Sequence, residues 1–359
     1  MKRVHNFSAG PAALPTEVLK QAQSELLDYQ GSGTSIMEMS HRGKYYTEVN
    51  EQAQDRLKRI LGLGDDFHVV FLQGGASLQF MQVAMNFLSP DEIADYINTG
   101  AWSTKAIKEA QRFGKINEAF SSKGSNFNRV PTDSELSLSE DAKFVHFTSN
   151  NTIFGTQFAT EPNTNGVPLV CDASSDFLSR PIDINKYGLI YAGAQKNLGP
   201  SGVAVVIIRK EFLAKQNKSD IPTILDYRTH TEKLFHTPPT FTIYLVNLVL
   251  KWVEEKGGLS YFEKLNTQKA ELLYSTIDAD DFYRGTAEVA SRSKMNVTFR
   301  LPSEELEAQF LAEAEQADLV ALKGHRSVGG IRASIYNACT LESVQALTTF
   351  MESFKAKNS

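Results

Sequence analysis

Lys196 follows the apolar run Leu189-Ile-Tyr-Ala192 across Gly193-Ala-Gln195 and precedes Gly199-Pro200-Ser201-Gly202, so small and polar neighbours crowd its amine. A lysine in such a partly dry setting loses basicity and becomes a nucleophile toward carbonyls. The plainer alternative is a strand-end lysine with a buried stem and a solvated head. Asp172 closes the preceding apolar run, 167–171. There it suits either the charge partner of a protonated pyridine nitrogen or the cap of the next helix. Gln73-Gly-Gly-Ala-Ser77 turns from another run into a helical pattern, exposing N–H groups that suit a phosphate. Trp102 offers an aromatic plate, although a lone tryptophan equally fills a core or an interface. Phosphate cup, aromatic plate, ring-nitrogen acid and aldehyde-binding lysine together describe a pyridoxal phosphate site. Neither a Gly-x-Gly-x-x-Gly fingerprint nor a P-loop occurs.

A second signal is the repeated His-Arg dipeptide. With seven His and 14 Arg in 359 residues, composition alone predicts about 0.3 such pairs; His41-Arg42 and His325-Arg326 make two. Guanidinium forks grip phosphate and carboxylate bidentately, and imidazolium adds a donor whose charge varies near neutral pH.

The elements that must carry these residues are short apolar runs at 68–72, 93–97, 143–147, 167–171, 189–192 and 203–208, separated by helical patterns such as 77–87 and 103–113. Several runs are continuous rather than alternating, which predicts strands covered on both faces. In such α/β sheets ligands collect beyond the carboxyl ends of the strands, where the residues above cluster. A long helical pattern ends near Lys256 at Gly257-Gly258. Beyond it, helical patterns at 259–278, 303–317 and 341–355 surround strand candidates at 295–300 and 331–335. The expected architecture is α/β: a large domain over 16–257 with a mainly parallel central sheet and helices on both faces. A smaller C-terminal α+β domain over 258–359 would be joined by the N-terminal segment 1–15.

Composition narrows the function classes. The 42 acidic and 37 basic side chains leave a formal charge of -5, so no global field holds nucleic acid or an anionic membrane. Cys171 and Cys339 lack metal-finger or disulfide-framework spacing. No apolar run approaches the ~18 residues of a membrane span, and no signal-peptide core is present. A cytoplasmic enzyme acting on small molecules is expected.

Asn6-Phe-Ser-Ala-Gly-Pro-Ala12, Ser40-His-Arg-Gly-Lys44, Asp172 with Ser174-Ser175, Tyr191-Ala-Gly-Ala-Gln-Lys-Asn197, Thr237-Pro-Pro-Thr-Phe241, Lys323-Gly-His-Arg326 and Arg332-Ala-Ser-Ile-Tyr-Asn337 closely resemble the phosphoserine aminotransferase family, class V (fold type I) pyridoxal phosphate enzymes, along essentially the whole chain. The resemblance implies a homodimer with shared active sites and one cofactor per subunit, covalent at Lys196, which would also move the proton in transamination. By the same resemblance Asp172 would pair with the pyridine nitrogen, Trp102 would stack on the ring and Thr152 would bond its phenolic oxygen. Ala76, Ser77 and Gln195 would hold the cofactor phosphate, with His236 and Thr237 reaching across the interface. Arg332 would bind the substrate α-carboxylate, and His41, Arg42, His325 and Arg326 its distal phosphate or carboxylate. The implied reaction exchanges the amino group between glutamate and 3-phosphooxypyruvate, with 4-phosphooxythreonine as a second product.

One branch of the family has Ser at Ala9, Arg at Ser77 and Asn at His236, so the distal site here lacks one of that branch's cations. Within the class, a cysteine desulfurase would need a mobile reactive thiol, and a glyoxylate aminotransferase has no use for two His-Arg pairs. A non-catalytic phosphate-ligand binder on the same scaffold would not need both Lys196 and Asp172.

Overall fold

The computed structural model describes residues 3–216 and 218–358. Seven strands form the main sheet: β1 (Phe67–Leu72), β2 (Ile93–Asn98), β3 (Lys115–Ser121), β4 (Val145–Thr148), β5 (Leu169–Asp172), β6 (Tyr187–Gly193) and β7 (Ala204–Arg209). They lie in the order β1-β7-β6-β5-β4-β2-β3. Neighbours pair in parallel except that β7 runs antiparallel to both β1 and β6.

Continuous apolar runs give this arrangement because alternate residues fill cores on opposite faces. Val69, Phe71, Val205 and Ile207 pack on one side with Val49, Ala53 and Leu57 of α1 (Lys44–Leu61). Val70, Leu72, Val206 and Ile208 pack on the other with Phe80 and Val83 of α2 (Gly75–Phe87) and Ile107 of α3 (Ala101–Ala110). The edge strand β3 was not expected from the sequence. Of its seven residues only Ala119 is buried, and Lys115 and Glu118 interrupt any hydrophobic signal.

On the first face, helix α4 (Thr240–Lys256) ends at Gly257, φ 108°, whose N–H bonds the Glu254 and Val253 carbonyls. Gly258, φ 71°, then starts α5 (Gly258–Ile277). Two successive left-handed residues turn the chain there, which glycine does without a Cβ penalty. The start of α5 still leans on the first body, with Trp252 and Phe262 ring centroids 4.9 Å apart.

A further core surrounds the antiparallel strands β8 (Arg284–Gly285), β9 (Asn296–Arg300) and β10 (Ile331–Ser334) together with α6 (Glu304–Gln316) and α7 (Leu341–Asn358). Phe310 sits at its centre, fully buried, with Phe350, Phe354 and Phe299 rings at 5.0, 5.2 and 6.1 Å. The N-terminal His5–Asn6 pairs with Leu319–Val320, which draws Phe7 into this core.

Lys269 on α5 has no exposed surface, and its ammonium donates to the carbonyls of Ile335 and Tyr336 at 2.8 Å and of Cys339 at 3.0 Å. All three donors are satisfied without a carboxylate, and burial lowers its pKa to about 8. The same turn reaches the main sheet: Asn337 N–H donates to Asn197 Oδ1 at 2.9 Å, and Asn337 Nδ2 donates to the Leu178 carbonyl at 2.8 Å.

Phe310→Ala removes the central ring of the aromatic cluster, so urea unfolding of that core should lose about 3–5 kcal/mol. A loss below about 1 kcal/mol would show that the cluster repacks around the gap.

Candidate active site

The carboxyl ends of β1, β4, β5 and β6 converge on a cavity of about 380 Å³, into which Gly74, Ser77, Trp102, Thr148, Asp172 and Lys196 all project or open. The floor of the cup follows from local sequence. Gly74 adopts φ 85° to enter α2, and a Cβ there would stand 2.7 Å from Leu78 Cδ2, so only glycine fits. No side chain caps α2. Its first N–H groups, at Gly75, Ala76 and Ser77, are therefore free to meet an anion at the positive end of the helix dipole.

Lys196 and Asp172 line the same cavity. Lys196 Nζ donates to Thr152 Oγ1 at 2.7 Å and lies 5.8 Å from the Trp102 ring centroid. Burial lowers its pKa to about 8, the Asp172 carboxylate pulls it back up and the Arg332 guanidinium depresses it further. Asp172 is buried, and its Oδ1 accepts the Ser174 N–H at 3.0 Å. Burial pushes its pKa up, against the opposing pull of its Ser174 hydrogen bonds and the Lys196 charge. The helix-cap alternative reduces to this one local bond, which leaves the second carboxylate oxygen for the cavity. Thr148 Oγ1 and Trp102 Nε1 are buried without a hydrogen-bond partner. Gln195 also lines the cavity. A Cβ on Gly193 would lie 2.7 Å from its Oε1, so the approach of the Gln195 amide depends on that glycine.

Arg332, on β10, presents a buried Nε without a hydrogen-bond partner, and burial lowers its pKa. His325 and Arg326 occupy the tight loop before β10. A Cβ on Gly324 would stand 2.0 Å from the Gly329 carbonyl oxygen, so the loop cannot close without that glycine. His325 Nδ1 is 2.7 Å from Ser327 Oγ. Burial first, then the charges of Arg332, Arg326 and Lys105, lower the His325 pKa. These groups share one electrostatic neighbourhood.

Lys105 was not singled out in the sequence. It lies one helical turn beyond Trp102, and its Nζ is 4.3 Å from that ring centroid. The Trp-x-x-Lys spacing on a helix was the available signal, because residues three apart share a face.

His41, Arg42, His236 and Thr237 form a separate set; they do not line the cavity of Lys196, and neither do Thr152, His325, Arg326 and Arg332. His236 lies with its ring 5.4 Å from His230, and burial, His230 and His41 lower its pKa. His41 Nε2 and both ring nitrogens of His236 are buried without partners. The segment connects to the cup through Gln73 Nε2, which donates to the Thr237 carbonyl at 3.0 Å. Among the described residues no group of His, Cys, Asp and Glu could hold a metal, and no helix is long and apolar enough to cross a membrane.

The cavity suits pyridoxal phosphate: an uncapped helix end for its phosphate, a carboxylate for its ring nitrogen, an indole beside it and a weakly basic amine for its aldehyde. Comparison with known proteins agrees. A family model described as Aminotransferase class-V matches residues 4–347. The phosphoserine aminotransferase of Desulfosudis oleivorans is 56% identical over 361 residues, covering 99% of each chain. The structure of phosphoserine aminotransferase from Bacillus circulans subsp. alkalophilus superposes with a TM-score of 0.98 at 53% identity, covering 100% of both chains. A PLP-bound phosphoserine aminotransferase from Trichomonas vaginalis gives a TM-score of 0.93 at 41% identity, covering 98% of this chain and 100% of that one. An aromatic-aldehyde cavity at the carboxyl edge of this sheet, together with similarity along the full length, places the chain among the phosphoserine aminotransferases of the class-V aminotransferase family.

Proposed function

We propose that Lys196 is the group that binds the cofactor covalently and moves the proton during transamination. The observation that carries this assignment is the placement of its amine in one cavity with Asp172, Trp102 and the bare end of α2, bonded to the Thr152 hydroxyl. The chain is a pyridoxal phosphate-dependent transaminase that interconverts phosphoserine and 2-oxoglutarate with 3-phosphooxypyruvate and glutamate. When bound, pyridoxal phosphate supplies the conjugated system that takes up the electron pair left by removal of the Cα proton.

The chain supplies position and charge. Free N–H groups at Gly75, Ala76 and Ser77, with the Gln195 amide, bind the cofactor phosphate. Asp172 keeps the ring nitrogen protonated through a charge-assisted hydrogen bond. Trp102 holds the ring plane, and the Thr152 hydroxyl, already bonded to Lys196 Nζ, serves the ring oxygen. Arg332 takes the substrate α-carboxylate on its unpartnered guanidinium edge. His325 and Arg326 take the distal anion, phosphate in one half-reaction and carboxylate in the other. With both substrates visiting one pocket in turn, the kinetics are ping-pong.

His41, Arg42, His236 and Thr237 belong to the same reading but complete the site of a second copy. The buried ring nitrogens of His41 and His236 that lack a partner within the chain support a homodimer with shared sites. The separate cores support a division into two domains, 16–257 and 258–359 with the N-terminal segment. Free, buried Cys171 and Cys339 suit a reducing, cytoplasmic setting.

Borohydride reduction of the yellow holoenzyme should fix the cofactor mass on Lys196, and Lys196→Ala should show no such adduct. Asp172→Asn should retain bound cofactor while kcat falls by on the order of 10²-fold; unchanged kcat would remove Asp172 from the mechanism. Apoprotein should capture pyridoxal phosphate faster as pH rises through about 8, because only the neutral amine attacks, and then level off. In Asp172→Asn the midpoint should shift down, since that carboxylate raises the amine pKa. A flat stopped-flow profile would count against the assignment. Arg326→Ala should raise KM for phosphoserine on the order of 10-fold with cofactor affinity unchanged.

A further inference from the structure

We propose that Lys105 is a specificity-determining residue, the cation that favours a distal phosphate monoester over a distal carboxylate in the substrate pocket. The inference rests on the distal-anion reading of His325 and Arg326.

Lys105 is placed by its neighbour. It lies on α3 with its Nζ 4.3 Å from the ring centroid of Trp102, and Trp102 lines the cavity that holds Lys196 and Asp172. Lys105 is thus one ring away from the cavity lining, and a cation on an indole face is held there by the ring quadrupole. Its charge, with those of Arg332 and Arg326, also acts on the imidazole of His325.

The charge balance requires an incoming anion. Among the described residues Lys105, Arg326 and Arg332 have no carboxylate within ion-pair distance, whereas other arginines of the same body, such as Arg300 and Arg292, do. Positive groups gathered without a counter-ion repel one another, and a bound anion relieves that repulsion. A phosphate monoester carries close to two negative charges at neutral pH and a carboxylate only one. Each added cation therefore discriminates in favour of phosphate. Lys105 is suited to this because it is a point charge on a flexible stem and remains exposed beside Trp102. It can follow a distal group that differs in length between the two half-reactions.

The test uses purified holoenzyme carrying Lys105→Gln, Lys105→Arg or Arg326→Ala, assayed in both directions with phosphoserine and with glutamate. Lys105→Gln should raise KM for phosphoserine about three- to fivefold, the range of an exposed ion pair, and that for glutamate by less than half as much. The cofactor absorbance band and kcat should be unchanged. Lys105→Arg should restore the wild-type ratio, and the Lys105→Gln effect should shrink in 0.5 M salt if it is a screened charge, given a Debye length of about 4 Å there. Equal rises in both KM values, or lost cofactor occupancy, would show that Lys105 merely supports Trp102 and would overturn the proposal. Unchanged KM in Lys105→Gln alongside a raised KM in Arg326→Ala would refute Lys105 alone. Unchanged KM in both would refute the distal-anion reading beneath it.

Discussion

The site is governed by a conflict over one proton. In the role proposed for it Lys196 must be neutral to attack a carbonyl, yet it stands in a cavity that also has to attract anions. Desolvation resolves the first demand by holding its pKa near 8, and Arg332 adds to the effect. The second is met by positive groups kept at the periphery and by backbone N–H groups, whose partial charges never titrate. Asp172 sets the limit: its carboxylate keeps the amine from losing too much basicity. Sheet topology makes this arrangement possible, because parallel strands deliver their carboxyl ends to a single edge. The antiparallel β7 beside β6 leaves that delivery intact on the other strands.

Much of this was legible in the sequence because it depends on local chemistry. A lysine after an apolar run, an acid at the end of the run before it and a Gly-Gly turn into a helix are each short-range patterns. They met in space because both faces of the same sheet are buried. β3 was not legible because an exposed edge strand buries almost nothing and so leaves no periodicity. Lys105 was missed for a related reason: on a helix surface a lysine is ordinary, and only the position of the Trp102 ring makes its charge significant. The antiparallel direction of β7 has no sequence signature either, since a strand covered on both faces reads the same in either direction.

The arrangement of the cations separates two kinds of functional residue. Those on strand ends and helix starts, such as Asp172 and Ala76, are fixed by backbone hydrogen bonding and come together within one chain. His41, Arg42, His236 and Thr237 lie on connecting segments and gather elsewhere, with imidazole nitrogens left unpaired in a buried setting. Leaving buried polar atoms unpaired is costly. Sequence motifs reported both kinds with equal clarity but carried no information about which surface each would face.

The ammonium of Lys269 gathers three carbonyls of the turn that follows Arg332, and Asn337 in that turn bonds the side chain of Asn197, the residue next to Lys196. Two halves of the molecule built from unrelated sequence are thus registered through one buried knot of polar atoms. Recombining the front of one homologue with the back of another would preserve each half's interior yet put this knot at risk. The modules of this architecture are consequently not free to evolve as interchangeable parts. Helix α5 inherits the same restraint as the strand tip that carries Lys196.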